Sequence, residues 1–349
     1  MKTTFFLSLW LCLWLSMTGH ARTAATTGDD DKPQMRLLFL GNSFSLDASH
    51  MLPQQLEDAG VNTRQYTIDC VMYAGATLEY WCQHIREDRP IKYRFHMGGK
   101  LATGDSCRTV RELLGEPWDV VIIQQASRMS DKEETYEPHM DSLCQVIRTL
   151  CPSARIAWLL TWSVAPYFTH GPVDRAGWEK IADTARTHCP ADGIDVVIPA
   201  GTALQTARQT SLNDGRDLTR DGIHLVLGAG RYIAAMCVFE TVCRPVFGTS
   251  CLDLPPSQRM KDVDSKYGDD RLPITDDNYP LCKACVAQAL ADPYRLPGPN
   301  DTDSTGPHIL IDSKPARLPY ISLDGRRSNR PPKGGFIYMG KKYVSRYRL

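Results

Sequence analysis

The amino-acid sequence predicts an α/β protein whose central sheet is parallel and covered by helices on both faces. Three observations lead there. Short, almost wholly apolar runs recur between residues 36 and 245, each the length of a strand. Between them lie longer segments with apolar residues three and four apart, the spacing of an amphipathic helix. Strands joined by helical crossovers pair in parallel and bury both faces, which removes the alternation of a half-exposed strand.

The elements follow in order. Residues 36–40 (Arg-Leu-Leu-Phe-Leu) form an apolar run ending at Gly41, which suits a buried strand. Residues 49–59 carry helical spacing through Leu52 and Leu56 and stop at Gly60. Residues 63–72 read as a strand and 78–85 as a helix. The run 118–123 is apolar except for Asp119 and is the next strand; 136–150 is an amphipathic helix and 156–160 another strand. A helix over 178–188, a strand over 195–198 and a helix over 228–241 complete the core, which spans 35–250. No internal repeat is present. Past 250 the texture changes: Pro255-Pro256, Leu272-Pro273 and 297–305 read as linker, so 251–307 is expected to be an irregular extension. A short β-rich tail over 308–349 follows.

Residues 1–21 have the composition of a cleaved export signal: Lys2, an apolar run over 5–17, then Gly19-His20-Ala21. The run is shorter than the roughly 20 residues a spanning helix needs. Residues 22–34 are a polar leader. The expected location is therefore the periplasm, cell surface or medium. Twelve cysteines minus Cys12 leave an odd number in such a mature chain, so at least one thiol stays free. Cys282 and Cys285 form a CxxC with no further zinc ligands at suitable spacing, which fits a local disulfide or unpaired thiols better than metal.

Overall charge is balanced, with 40 Lys+Arg against 40 Asp+Glu, which argues against a nucleic-acid partner. The balance hides an asymmetry. Residues 308–349 hold ten basic and two acidic residues, leaving 30 basic and 38 acidic residues in 1–307.

The residues that carry chemistry lie at strand ends, where open α/β sheets bind ligands. The first strand runs into Gly41-Asn42-Ser43-Phe44-Ser45, which places Ser43 between a strand and a helix as an exposed nucleophile. Far downstream, Asp221-Gly222-Ile223-His224 precedes the last core helix. A histidine accepts a serine proton only when neutral and oriented, and a carboxylate on its other ring nitrogen does the orienting. Two intervening residues let one loop present both groups. Gly104-Asp105-Ser106 is a literal GDS but follows no apolar strand, so it reads as a turn and helix cap. The other histidines are scattered and form no metal-ligand pattern. Trp162, after the fourth strand, is either a wall of the substrate site or core packing.

These residues resemble the SGNH (GDSL-type) hydrolase superfamily. The likeness rests on Gly41-Asn42-Ser43 and the Asp221-x-x-His224 block, in that order and strand context. It implies a flavodoxin-like three-layer α/β/α sandwich. It also implies Ser43 as nucleophile, His224 as general base and Asp221 as its orienter, with the Ser43 N–H in the oxyanion hole. Gly75, in Tyr73-Ala-Gly-Ala-Thr77, matches the second block and implies a second oxyanion N–H. The third block departs from the superfamily's GxND. It reads Gln124-Gln125-Ala126-Ser127, leaving Gln125 as the expected side-chain donor, and Asn42 stands where an aspartate is usual. No metal or organic cofactor is implied for acyl transfer of this kind.

The C-terminus resembles the sorting tails of type IX secretion cargo, through Asp-Gly-Arg-Arg at 324–327, Pro-Pro-Lys-Gly at 331–334 and Gly-Lys-Lys at 340–342. That implies passage across an outer membrane and the secretion machinery as a partner. The resulting expectation is an exported esterase acting on acylated carbohydrate or another small ester. A lipase or thioesterase of the same fold, or a non-catalytic glycan-binding module, are the alternatives.

Overall fold

The computed structural model describes residues 33–91, 94–97, 108–168, 171–257 and 271–297, together with four short strands between 320 and 345. The expected export signal (1–21), the expected leader (22–34) up to residue 32, and Gly104-Asp105-Ser106 lie outside the described residues.

Six strands make the central sheet: β1 (Met35–Gly41), β2 (Tyr66–Met72), β3 (Arg94–Met97), β4 (Val120–Ile123), β5 (Arg155–Leu159) and β6 (Val196–Ile198). Their order is β3-β2-β1-β4-β5-β6. Five run parallel, and β3 pairs antiparallel with β2 at the edge. Without that edge strand the order is the doubly wound one whose switch point lies beside the first strand. Ser43 therefore emerges from the centre of the sheet, at its carboxyl edge.

Alternation along the strands divides the core in two. Leu37 and Phe39 of β1, Val120 and Ile122 of β4 and Ala157 and Leu159 of β5 face one layer. Leu38, Leu40, Val121, Ile123, Ile156 and Trp158 face the other. The first layer holds α1 (Ser43–Ser49), α2 (Leu52–Asp58), α7 (Ala200–Ala207) and α8 (Ala229–Val238). The second holds α3 (Leu78–Arg86), α4 (Val110–Leu114), α5 (His139–Leu150) and α6 (Asp174–Ala191). This is the expected three-layer α/β/α sandwich.

The helix expected over 49–59 is α2, confined to Leu52–Asp58; α1 is a separate helix that ends at Ser49. Pro53 has no N–H to continue a helix and sits in the first turn of α2, where none is needed. The helix α7, which has no counterpart in the sequence reading, is short and buried on every side, its polar Thr202, Gln205 and Thr206 included. After α8 the chain passes through a π turn (Phe239–Cys243) into the short α9 (Arg244–Phe247).

The stretch expected to be irregular over 251–307 also needs correction. It contains α10 (Tyr279–Ala291), whose Tyr279, Cys282, Cys285, Val286 and Ala289 join the first core layer. Leu272, in a two-residue strand (Arg271–Leu272), pairs with Gly228 of another (Leu227–Gly228). All ten described cysteines are unpaired, and all but Cys82 are buried. Burial pushes the Cys282 thiol up to about 12. Among the described residues no helix is long and apolar enough to cross a membrane. The tail strands (Tyr320–Ser322, Arg327–Ser328, Gly334–Tyr338, Lys341–Ser345) form an antiparallel four-stranded sheet of their own.

Candidate active site

The strand-to-helix turn after β1 is built by Asn42. Its Oδ1 accepts from the Phe44 N–H at 3.0 Å, which caps α1, and from Gln124 Nε2 at 2.6 Å. Its Nδ2 donates to the Ala76 carbonyl at 3.0 Å. An aspartate could accept the first two bonds but could not make the third, so the departure from the usual block has a structural use: one amide joins the loops after β1, β2 and β4. Gly41 is tight for the same reason, since a Cβ there would lie 2.3 Å from Ser45 Oγ.

Asp221 and His224 lie on a loop that folds back to α1. Gly222 sits at φ +92°, and a Cβ on it would be 2.7 Å from the Tyr167 ring, so only glycine fits between them. Asp221 Oδ1 accepts from the N–H groups of Ile223 at 3.1 Å and His224 at 2.8 Å. Its Oδ2 lies 2.7 Å from His224 Nδ1, and His224 Nε2 lies 2.9 Å from Ser43 Oγ. Serine, imidazole and carboxylate thus form one hydrogen-bonded line across 181 residues of sequence. Burial alone would raise the Asp221 carboxyl. The hydrogen bonds from His224 and Ile223 and the proximity of the His224 ring outweigh it and hold the group below the usual carboxylate range.

The line opens into a cleft of about 660 Å³, lined by Ser43, Gly75, Arg128, Phe168, Asp221 and His224 among others. Gly75 takes φ +70° in the turn closed by the Ala76 N–H on the Tyr73 carbonyl. Neither the Ser43 N–H nor the Gly75 N–H has a hydrogen-bond partner among the described residues. Two backbone donors thus remain available on the cleft wall beside the serine.

A model of a family described as a domain of unknown function, DUF4886, matches residues 36–254. The chain belongs to the DUF4886 family. No curated protein matches it. It is similar to the crystal structure of a DUF4886 protein from Bacteroides uniformis, with 24% identity and a TM-score of 0.59, over 75% of this chain and 97% of that one. A structure from Parabacteroides merdae, provisionally named a GDSL-like lipase, matches with 16% identity and a TM-score of 0.42, over 60% of this chain and 95% of that one. One from Slackia heliotrinireducens, provisionally named an SGNH hydrolase, matches with 22% identity and a TM-score of 0.40, over 59% and 98%. At 24% identity the likeness to the Bacteroides uniformis structure concerns the fold alone.

Two residues expected at the site of this DUF4886 chain stand elsewhere. Gln125 is buried, and its Nε2 donates to the Thr135 carbonyl at 3.0 Å and to Thr135 Oγ1 at 3.2 Å. Its Oε1 accepts from the N–H groups of Leu78 and Ala126. With donors and acceptor committed to holding loops, it supplies no oxyanion donor. Trp162 is fully buried rather than a wall of the cleft. It stacks on Phe44 at 4.1 Å and donates from Nε1 to the Ile223 carbonyl at 2.9 Å, so it carries the Asp221–His224 loop from beneath.

Asp47, which sequence reasoning passed over, also holds this loop. It is 1% exposed, one helical turn after Ser43 on α1. Its carboxylate accepts from Leu225 N at 2.8 Å, Arg231 Nε at 2.8 Å and Arg220 Nη1 at 3.3 Å. Arg220 and Leu225 bracket the Asp221–His224 segment, so one carboxylate ties both ends of that segment to the helix that begins at Ser43. Its signal in the sequence was an acid four residues after the serine, on a helix face otherwise buried.

Among the described residues, one group brings possible metal-ligand atoms together: Glu137, His188 and Asp192, within 4.8 Å of one another. None of the three lines the cleft.

Proposed function

We propose that this chain is an exported serine esterase that removes O-acyl groups, acetyl first among them, from extracellular carbohydrate. The observation that carries the reading is the continuous line Ser43 Oγ–His224 Nε2–Nδ1–Asp221 Oδ2, at 2.9 and 2.7 Å. In this reaction Ser43 Oγ attacks the ester carbonyl while its proton passes to His224 Nε2. The Nδ1–H stays on Asp221, which stabilises the imidazolium. The N–H groups of Ser43 and Gly75 receive the oxyanion. Collapse expels the alcohol, which takes the proton from His224 and leaves Ser43 acylated. Water then repeats the sequence and releases the acid. The export signal and the basic sorting-type tail support an extracellular polymer as the source of the ester.

Labelling with a fluorophosphonate tests the nucleophile. Wild type should label and Ser43→Ala should not; labelling retained in the variant would refute the assignment. A chain-length series of nitrophenyl esters tests the acyl group, and a rate maximum at octanoate or longer would transfer the reading to a lipase. One observation favours the glycan-binding alternative: with Gln125 withdrawn, the oxyanion site lacks a side-chain donor, and one such donor is worth about 10²–10³ in rate. Glycan binding that survives Ser43→Ala, with no ester hydrolysed by wild type, would establish that alternative.

A further inference from the structure

Of the charged groups on the cleft wall, Asp221 is taken up by His224, whereas Arg128 is not taken up by any group among the described residues. Arg128 is exposed, lines the same cleft as Ser43 and His224, and has no hydrogen bond or ion pair among the described residues. The arginines along the rest of the fold mostly do have such partners: Arg36, Arg108, Arg148, Arg216, Arg220 and Arg231 each meet a carboxylate.

The backbone beneath Arg128 is held in place. It occupies a central position of the turn closed by the Met129 N–H on the Ala126 carbonyl, at 2.8 Å. The next turn is closed by Lys132 N–H on the Met129 carbonyl at 3.0 Å, and the Tyr136 hydroxyl donates to the Ser130 carbonyl at 2.9 Å. On the upstream side Gln125 anchors the strand end to Thr135, so the commitment that withdraws Gln125 from the oxyanion also stiffens the loop presenting Arg128. A guanidinium offers a planar fork of N–H donors that matches the two oxygens of a carboxylate, and a fixed base lowers the entropy lost on pairing.

We propose that Arg128 is a specificity-determining residue that pairs with a carboxylate on the substrate, so that the ester removed sits on an acidic sugar rather than a neutral one. The proposal rests on the esterase reading for its reaction, but its recognition step is separable from it. The acidic character of residues 1–307, with 38 acids against 30 bases, makes the contact a short-range one: the domain's net charge does not draw in an anion, so the preference must arise at the cleft.

The test compares an O-acetylated methyl glucuronoside with its uronamide, which has nearly the same shape and no charge. Wild type should hydrolyse the acid with a kcat/KM about tenfold or more above the amide, the range for a charge-assisted pair. In Arg128→Gln the preference should collapse to about unity, and in Arg128→Lys part of it should return. Equal kcat/KM for acid and amide in wild type, or a ratio unchanged in Arg128→Gln, would overturn the proposal. Binding of the two unacetylated sugars to Ser43→Ala, followed by calorimetry, separates this from the esterase reading. If wild type hydrolyses neither ester but Ser43→Ala binds the acid more tightly than the amide, and Arg128→Gln removes that difference, the esterase reading fails and the Arg128 site stands. If both substrates are hydrolysed and neither assay distinguishes them, the Arg128 site fails and the esterase reading stands.

Discussion

Replacing Asp47 by asparagine tests whether the site is held by one carboxylate. The side chain is 1% exposed and faces Arg231, whose side chain is 9% exposed, and Arg220, at 24%. Removing one partner of a buried ion pair costs about 3–5 kcal/mol, chiefly because the remaining charge is left without compensation. Arg220 reaches water and is screened, and asparagine keeps one acceptor oxygen, so the lower end applies, about 3 kcal/mol. Against a total of roughly 5–15 kcal/mol the variant stays folded. With an m-value of about 3 kcal/mol/M its urea midpoint should fall by about 1 M. The catalytic effect is separate. Asp47 fixes Leu225 N and Arg220, on either side of the Asp221–His224 segment. Freeing that segment by about 1 Å would cost on the order of 10² in rate. Urea unfolding and steady-state hydrolysis of 4-nitrophenyl acetate measure the two effects, and kcat should fall much more than KM changes. Because the pair is buried, the loss of stability should persist in 0.5 M salt. An Asp47→Asn protein within about 0.5 kcal/mol of wild type, with kcat within about twofold, would refute the reasoning.

Two further substitutions probe the frame. Gly222→Ala forces a side chain into φ +92° and within 2.7 Å of Tyr167, so kcat on 4-nitrophenyl acetate should drop at least about tenfold, with a lower Tm; an unchanged kcat would show that the loop relaxes freely. Asp192 offers a pH test. Burial, and then the neighbouring Glu137, push its carboxyl up to about 7. A folded pKa above the unfolded value of about 3.9 means the folded chain binds the extra proton between those limits, so this group's contribution to stability is present below about pH 4 and is lost as pH rises through 7. Asp192→Asn should therefore gain more Tm over wild type at pH 8 than at pH 5; an equal gain at both would contradict the direction.

What could be read from the sequence was local. The runs at 36–40 and 118–123 alternate between two faces, and a strand's period of two places Leu37 and Phe39 on one layer and Leu38 and Leu40 on the other wherever the sheet packs. Ser43 at a strand end, and a carboxylate three residues from His224, are likewise short-range patterns. A helix such as α7, buried on all sides, gives no such pattern, and neither does α10 amid proline-rich flanks.

The tertiary structure decided which side chains those patterns meet. Gln125 and Trp162 both stood at strand ends, the first expected as an oxyanion donor and the second as either a wall of the site or core. Whether an amide points into a cleft or toward Thr135, and whether an indole walls the site or stacks on Phe44, depends on loops distant in sequence. Asp47 and its partners Arg220, Leu225 and Arg231 are 173–184 residues apart. A buried polar group must find its hydrogen bonds somewhere, and only the closed fold determines where. The local pattern therefore determined the sheet and named Ser43, Asp221 and His224. Packing determined that Asp47, Trp162 and Asn42 hold those three in place, and that Arg128, on the same cleft, meets no carboxylate among the described residues.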